Sequence, residues 1–331
     1  MRLAAGSLAG LTEELRSRAE LGMKRDIQIA SRVLGASGQC AWFPSPAPIL
    51  NGDDTAALPD ADGYTLFAAE GMRPEFVAAD PWFAGFCAVM VNLSDVAAMG
   101  GRPWAIVDVL FMGSGENERV LEGMRAASEL FGVPVVGGHT ARVSGPSLLA
   151  AAVLGRAKRL ISSHAAKPGQ TLLMAVDLRG SFRGRGNAFN TATTASAQQL
   201  RAGLAVLPEL AEAGLVSAGK DISMAGVCGS LAMLLETSGA GAELELERIP
   251  APAEVEPLRW LTAFPSFGYV LAVDQAAIAP VCARFDAVGV ICTPVGSVTA
   301  SRRLVLRHGD ERRDYLDFSE QPLTGFGANV P

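Results

Sequence analysis

Apolar segments of two kinds alternate along this chain, and the alternation is the strongest constraint on its fold. YTLFAAEGM and WAIVDVLFM are apolar runs of strand length, whereas NERVLEGMRAASELFG has apolar residues at helical spacing. Gly132 stands at the end of that helical segment, where glycine readily adopts the left-handed backbone of a helix C-terminus. Strands and helices that alternate in this way bury their apolar faces against one another. The sequence therefore predicts an α/β or α+β fold.

A second series of such segments begins at KPGQTLLMAVDLRG, where a Pro-Gly turn leads into a new strand. We place a domain boundary there, with an N-terminal domain over residues 1–160 and a C-terminal domain over residues 161–331. Residues 1–45 of the first domain form a helical segment in which Gly22 is a candidate break. The proline-rich FPSPAPIL then ends any helix. A chain of 331 residues is long enough for two such domains.

The charge content of the chain is low and bears on its partners. Only 19% of the residues are charged, which is below the usual share of about a quarter. Because charge is depleted in the core of subunit interfaces, a homodimer is a reasonable expectation. The net charge is −6 and there is no basic stripe, so nucleic-acid binding is not expected.

Location is indicated by several weaker features. We find no run of the roughly 18 apolar residues that would span a bilayer, and acidic residues interrupt the N-terminal segment too early for a signal peptide. The five cysteines are scattered, odd in number and never in CxxC spacing. Neither a disulfide framework nor a zinc site is expected, and a cytoplasmic location without membrane association fits these features.

Several acidic residues stand in glycine-rich or alanine-rich apolar segments. A carboxylate is costly to bury there without a partner, so a cation is expected to compensate for its charge. Mg²⁺ prefers such oxygen ligands, together with water and substrate phosphates. The candidate ligands are Asp53, Asp54, Glu70, Asp95 and Asp221.

Structural roles are the alternative for some of these acids. Asp53 and Asp54 are neighbours, and neighbours in a regular strand point to opposite faces. Either the backbone is irregular there, or one of the two has a structural role such as an Asx turn. Asp95, or Ser94 before it, would equally serve as a helix cap.

Three other segments carry groups that bind anions. GGHT follows an apolar strand, and its glycines let backbone N–H groups approach a phosphate. Ser223 precedes a predicted helix, whose N-terminus favours an anion. The glycine-rich loop LRGSFRGRGNAF carries arginines suited to phosphate or carboxylate, namely Arg179, Arg183 and Arg185. A structural histidine in GGHT and a solvated arginine loop are the alternatives.

The order of these motifs resembles that of the aminoimidazole ribonucleotide (AIR) synthetase, or PurM-like, superfamily. The matching segments are GDDTAAL, AAEGM with DPWFAGFCAVMVNLSDVAAMGGRP, VVGGHT, KDIS with GSLAMLLETSGAGAELELERIP, and FPSFGYVLAV. They extend over nearly the whole chain, and NLSDVAAMGGRP is a highly specific match. Relatives in this superfamily are thiamine-monophosphate kinase, selenophosphate synthetase and the hydrogenase-maturation carbamoyl dehydratase. The chain is most similar to a synthase-related branch that keeps AAEGM and DPWFAGFCAVMVN.

The resemblance implies a two-lobed fold in which the N-terminal lobes of two subunits join their sheets into a barrel. It implies ATP in a cleft beside the dimer interface, with Mg²⁺ on the residues that match the family's aspartates. These are Asp53, Asp54, Asp95 and Asp221, with Glu70 in place of a further aspartate. Asn92 matches a polar residue near the nucleotide, and Lys24 lies about where selenophosphate synthetases keep a catalytic lysine. The other candidate groups are His139 for catalysis, and Gly137, Gly138, Thr140, Ser223, Arg183 and Arg185 for the nucleotide.

Departures from the family pattern concern the acceptor. Leu21 stands near the position of the selenium-handling cysteine, and Cys40 lies on the wrong side of Lys24, so selenide chemistry is not expected. Thiamine-phosphate kinases read DISDG where this chain reads DISMAG, so Met224 replaces an acid. They also read GGEDYE where this chain has PSFGYV, so Phe267 marks the loss of another acid. The residues that match the family's ATP and metal ligands are retained, whereas the residues expected on the acceptor side differ from those of the known relatives.

We therefore expect transfer of a phosphoryl group from Mg-ATP to an oxygen of a small-molecule acceptor, through positioning and charge stabilisation. The outcome is simple phosphorylation, or else ring closure or dehydration through a phosphorylated intermediate. One alternative is a nucleotide-binding regulatory or scaffold protein without turnover, as the changes at Met224 and Phe267 would allow. A doubly wound dehydrogenase is disfavoured, because no GxGxxG follows a strand.

Overall fold

The computed structural model describes residues 3, 7–35, 37–45 and 47–327, and the chain divides into two compact units. The five-stranded unit, named after its sheet, comprises Thr55–Leu160 and Ala195–Glu209. The seven-stranded unit comprises the described residues up to Asp54, Ile161–Thr194, and those from Leu210 onwards. Both units are discontinuous in sequence, whereas the predicted division runs once through the chain near residue 160. Pro46 of the predicted connector and the two extreme ends of the chain lie outside the described residues.

Helices and strands follow one another in mixed order. The helices are α1 (Leu8–Ser17), α2 (Ala19–Asp26), α3 (Gln28–Leu34), α4 (Pro74–Ala79), α5 (Pro81–Ala98), α6 (Asn117–Phe131), α7 (Ala197–Glu212), α8 (Gly226–Ser238), α9 (Pro257–Leu261) and α10 (Ile278–Asp286). The strands are β1 (Ser37–Gly38), β2 (Ile49–Leu50), β3 (Ala56–Asp60), β4 (Gly63–Met72), β5 (Arg102–Ser114), β6 (Val135–Pro146), β7 (Leu148–Ala157), β8 (Thr171–Val176), β9 (Ser181–Phe182), β10 (Phe189–Asn190), β11 (Ala218–Asp221), β12 (Gly241–Glu245), β13 (Gly268–Val273), β14 (Ile291–Thr299), β15 (Arg303–His308) and β16 (Glu311–Asp317).

The predicted mixture of helices and sheets is confirmed, and local signals explain several element ends. YTLFAAEGM lies within β4, WAIVDVLFM within β5, and the predicted amphipathic segment forms α6. Gly132 follows α6 with a left-handed φ of 73°, as predicted. The expected break at Gly22 is wrong, because this residue lies inside α2. The helix breaks instead at Arg18, whose backbone is extended between α1 and α2.

The five-stranded unit holds a sheet in the order β3-β4-β7-β5-β6, with β5 and β6 parallel and the other pairs antiparallel. Helix α5 packs against one face of this sheet. Alternate residues on that face, such as Leu66, Ile106 and Val153, are completely buried. The opposite face carries exposed apolar side chains, namely Phe67, Val107, Val109 and Leu148. The sheet is therefore covered by helix on one face only within this unit.

Helix α5 is the most apolar helix of its unit, and it corrects one expectation. Its 18 residues are long and apolar enough to cross a membrane by length and composition, contrary to the prediction that no segment is. However, 83% of that stretch is buried inside the protein, which explains its composition as that of a core helix. Helices α5 and α6 cross closely at glycines, because a Cβ at Gly85 or Gly123 would overlap with the backbone of the other helix.

The seven-stranded unit holds a sheet in the order β11-β13-β8-β14-β12-β15-β16. All its pairs are antiparallel except β12 with β15. Strand β8, the predicted TLLMAV segment, lies inside the sheet and is buried along nearly its whole length. Strand β11 lies at one edge, and it leads through Ile222 towards the start of α8. This edge carries the charged residues Lys220 and Asp221.

Candidate functional site

Asp53 is held by the segment that follows the five-stranded sheet. Its carboxylate accepts hydrogen bonds from the Ser162 hydroxyl, from the Ser163 backbone N–H at 3.0 Å and from the Ser163 hydroxyl at 2.8 Å. Asp53 Oδ1 also accepts from the backbone N–H of Asp54 at 3.2 Å. Both oxygens of Asp53 are thus engaged by the protein. Of the two neighbouring aspartates, Asp53 is the one that anchors the backbone.

Asp54 forms a buried ion pair with Lys220, a residue that the sequence analysis missed. The Asp54 side chain is 3% exposed and that of Lys220 is 4% exposed. Asp54 Oδ1 accepts from Lys220 Nζ, and Asp54 Oδ2 accepts from the Asp221 backbone N–H at 3.3 Å. That N–H is available because β11 is an edge strand, which leaves one row of its backbone groups unpaired in the sheet.

The lysine in this ion pair is kept charged by the acids around it. Burial lowers the pKa of Lys220, but the charges of Asp54 and Asp221 outweigh this effect, and Asp53 adds to them. The pKa of Lys220 therefore lies above its ordinary value. An unpaired ammonium would be costly at this depth, so the ion pair accounts for a lysine in a fully buried strand. The sequence signal was the position of Lys220 next to Asp221 in an otherwise apolar segment.

Lys24 and Ser223 are brought together, as two of the predicted site residues. Lys24 lies in α2 and is nearly buried, and its Nζ donates to Ser223 Oγ at 3.2 Å. The Ser223 backbone N–H donates to Ser230 Oγ at 2.9 Å, which ties the approach segment to α8. Ala225 precedes this helix with a left-handed φ of 78°, a conformation that glycine adopts with less strain. Lysine and serine thus converge just before the N-terminus of α8.

A row of residues crosses the sheet of the five-stranded unit. Glu70 on β4 lies opposite Ala151 on β7, Ala151 lies opposite Asp108 on β5, and Asp108 lies beside Gly138 on β6. Residues paired in this way point to the same face of a sheet. The buried Ile106 and Leu110 on either side of Asp108 identify this face as the one that α5 covers.

Helix α5 places further polar groups over this row. Asn92 Nδ2 donates to the carbonyl oxygens of Ala88 at 2.8 Å and of Ala151 at 3.2 Å. Because both neighbours are acceptors, the amide orientation is determined, and Asn92 Oδ1 faces the other way. Among the described residues, this fully buried oxygen has no hydrogen-bond partner. Asp95 lies one turn further on the same helix and is also buried. The alternative of a helix cap at Ser94 or Asp95 is wrong, since both lie inside α5.

Asp108 is a second residue that the sequence analysis missed. Burial raises the pKa of its carboxyl above the ordinary value. A Cβ at Gly138 would overlap with the Asp108 backbone carbonyl oxygen and with Asp108 Oδ1, so the glycine in GGHT makes room for both. The sequence did contain a signal for Asp108. It is an acid inside the apolar run WAIVDVLFM, which is the same kind of context that led us to single out Glu70 and Asp95.

The other residues of GGHT are divided between the two faces of the sheet. His139 lies beside Val109, and its ring meets the edge of Phe111 with a centroid separation of 5.8 Å. This places His139 on the exposed apolar face, opposite to the face of Glu70 and Asp108. Thr140 lies beside Leu110 and shares the α5 face. Gly137 lies beside Val107, and a Cβ there would meet no atom within 4 Å.

The predicted arginine loop is ordered by other residues. Arg179 forms two hydrogen bonds to Asp177, at 2.8 and 2.6 Å, and is thus engaged within its own segment. Arg259 donates to the carbonyl oxygens of Gly184 and Gly186 at 2.8 Å and holds the loop. Arg185 is exposed and Arg183 is half-buried.

Phe267 is part of the core of the seven-stranded unit. It is nearly fully buried, with ring centroids 5.1 Å from Trp260 and 5.5 Å from Phe189. Phe267 is therefore an aromatic packing residue at the position where the thiamine-phosphate kinase pattern led us to expect an acid.

Two family models match the chain. Residues 52–157 match the model of the AIR synthase related protein N-terminal domain, and residues 179–309 match that of its C-terminal domain. A protein from Synechocystis sp. named as the uncharacterized protein sll0787 is 43% identical over 323 residues, which cover 96% of this chain and 98% of that protein.

Solved structures share the fold. T. maritima PurL complexed with ADP matches with a TM-score of 0.74 and 19% identity, covering 96% of this chain and 54% of that one. The chain thus spans about half the length of PurL. AaThiL complexed with AMPPCP and TMP matches with a TM-score of 0.61 and 17% identity, covering 80% of this chain and 90% of that one. The PurM-like superfamily has ATP-utilising members, and these two structures were solved with adenine nucleotides or analogues. This chain belongs to the AIR synthase related family and has the PurM-like fold.

Proposed function

We propose that this protein is an ATP- and Mg²⁺-dependent enzyme that transfers a phosphoryl group to an oxygen of a small-molecule acceptor. The observation that carries the proposal is that both units contain buried carboxylates. The chain also belongs to a superfamily with nucleotide-binding members. Asp54 and Asp221 adjoin in the seven-stranded unit, and Asp95 is buried on α5 in the five-stranded unit. Buried acids of this kind cost stability, and a protein retains them where they have a task.

The residues present fit a hard divalent cation. Asn92 Oδ1 on α5 is fully buried and has no hydrogen-bond partner among the described residues, so it is available to a ligand or a cation. Carboxylates of both units supply oxygens of the type that Mg²⁺ prefers. The proposed ligands are Glu70 and Asp95 in the five-stranded unit, and Asp54 and Asp221 in the seven-stranded unit. Bound there, Mg²⁺ would neutralise the charge of the nucleotide phosphates. Asp53 supports this set by holding the backbone at Asp54.

Lys24 and Ser223 are the proposed phosphate-contacting groups of the seven-stranded unit. They converge before α8, where backbone N–H groups and the helix dipole favour an anion. Lys24 would stabilise the charge that develops on the transferred group. Thr140, Gly137 and Gly138 are proposed for the nucleotide, and Arg183 and Arg185 for a phosphate or carboxylate of the acceptor. His139 remains a candidate catalytic group, although it faces away from Glu70 and Asp108.

A dimer is part of the proposal. Phe67 on the uncovered face of the five-stranded sheet is 52% exposed, and its neighbours Val107, Val109 and Leu148 are also exposed. A continuous apolar sheet face of this kind favours a partner. The partner proposed is a second copy of the chain, since the same face on each copy makes a self-complementary interface. The proposed location is the cytoplasm, where ATP is supplied.

The test is an ATP-turnover screen against small amides, nitriles, amines and phosphorylated metabolites in the presence of Mg²⁺. An acceptor that stimulates turnover is expected, and Asp95→Asn should lower that turnover by about 100-fold or more, with ATP binding and folding intact. Asp60→Asn is the matched control, because Asp60 is an aspartate of the same unit whose ion pair with Arg156 lies on the surface. Bound ATP without turnover for any acceptor would favour the regulatory or scaffold alternative that Met224 and Phe267 motivate.

A further inference from the structure

The Asp54 site already contains a cation, which belongs to the protein itself. Lys220 Nζ is bonded to Asp54 Oδ1, and the charges of Asp221 and Asp53 act on the same ammonium. All four residues belong to the seven-stranded unit. The negative charge of the aspartates is thus partly balanced within the unit before any ligand binds.

The hydrogen bonds of Asp54 support the same point. One oxygen accepts from Lys220 and the other accepts from the Asp221 backbone N–H at 3.3 Å. The oxygens of Asp53 are engaged by Ser162 and Ser163. With Lys220 in place, an ion pair and hydrogen bonds from within the unit offset part of the cost of burying Asp53 and Asp54. Without Lys220, the carboxylate of Asp54 would be buried with its charge unpaired, which is the condition that draws in a divalent cation.

We propose that Lys220 is a resident cation that takes the place of one divalent cation at Asp54, so that the site binds one metal ion fewer than it would without the lysine. This inference rests on the proposed function, because it concerns the same carboxylates. It makes Lys220 a positioning residue, which holds Asp54 and Asp221 and lowers the number of metal ions that accompany the nucleotide.

The experiment counts Mn²⁺ by electron paramagnetic resonance in the absence of nucleotide, and follows thermal unfolding with and without Mn²⁺. Lys220→Met should bind one Mn²⁺ more per chain than the wild type. Its Tm without metal should be lower by roughly 10 °C and should recover when Mn²⁺ is added. Lys220→Arg keeps the charge and should behave as the wild type. The double variant Asp54→Asn with Lys220→Met removes both partners, and it should fold without metal and bind no additional ion.

Two results would overturn the proposal. One is a folded Lys220→Met that binds the same number of Mn²⁺ ions as the wild type. The other is a Lys220→Met that stays unfolded with and without Mn²⁺ while the double variant folds, because Lys220 would then only offset the charge of Asp54 within the fold. A wild type without ATP turnover would contradict the proposed function and would leave the Mn²⁺ count unaffected. The two proposals can therefore fail separately.

Discussion

Asp108 and Gly138 lie side by side on the parallel strands β5 and β6, and the Asp108 carboxylate fills the space where a side chain at position 138 would begin. We expect Gly138→Ala to destabilise the protein by about 2 kcal/mol, because the added Cβ overlaps with both the carboxylate and the backbone of Asp108. Urea unfolding measures the difference. Gly137→Ala is the matched control, since a Cβ there meets no atom within 4 Å. Equal losses in the two variants would show that the close approach of Asp108 does not determine the glycine.

Asp108 itself should reduce stability at neutral pH. Burial raises the pKa of its carboxyl, so the folded state binds this proton more tightly than the unfolded state. The contribution of this group to stability is therefore present at low pH and is lost as the pH rises through the raised pKa. We expect Asp108→Asn to raise the Tm at pH 7 and to change it little at pH 3, as measured by calorimetry across that range. An unchanged difference between the two pH values would contradict the assignment.

Ala225 carries backbone strain at the entrance to α8. Its φ of 78° is left-handed, which costs a residue with a Cβ more than it costs glycine. We expect Ala225→Gly to stabilise the seven-stranded unit by about 1 kcal/mol, as measured by urea unfolding. Ala232→Gly, in the interior of the same helix, is the control and should destabilise it by a similar or larger amount. A loss of stability in Ala225→Gly would show that the strain is not relieved.

The uncovered sheet face should determine the oligomeric state. We expect the wild type to have about twice the chain mass of 34.4 kDa by light scattering, and Phe67→Asp to have the mass of one chain. Burying an aspartate in an apolar interface is costly, which is the reason for dissociation. Ile29→Asp is the control, because Ile29 is an exposed apolar residue of the other unit. A Phe67→Asp variant that keeps the dimer mass would place the interface elsewhere.

Elements with strong local patterns were predictable, and elements without them were not. Helix α6 has regular apolar spacing and a C-terminal glycine, so its limits followed from local chemistry. Strand β16 was not predicted, because ERRDYLD contains few apolar residues and acquires strand structure by pairing with β15. The helix break was predicted at Gly22, but it lies at Arg18. The reason is similar, because glycine is tolerated inside a helix that tertiary contacts support.

The orientation of His139 shows the same limit within the site. Glycines and a histidine after an apolar strand indicate a turn or an anion site, but they do not say which face each side chain occupies. The register with β5 placed His139 beside Val109 and Phe111, away from the carboxylates of its unit. A shift of one residue would have reversed this, because side chains alternate along a strand.

The sequence by itself determined the family, the α/β character and the identity of most acids that were singled out, because these depend on residue type and order along the chain. Tertiary structure decided what each acid meets. Asp53 meets serines at positions 162 and 163, and Asp54 meets Lys220. These partners lie more than 100 residues away along the chain. A buried carboxylate is held by hydroxyl groups, paired with an ammonium group or able to bind a metal ion, depending on which distant segment packs beside it. The local sequence around the carboxylate does not determine which segment that is.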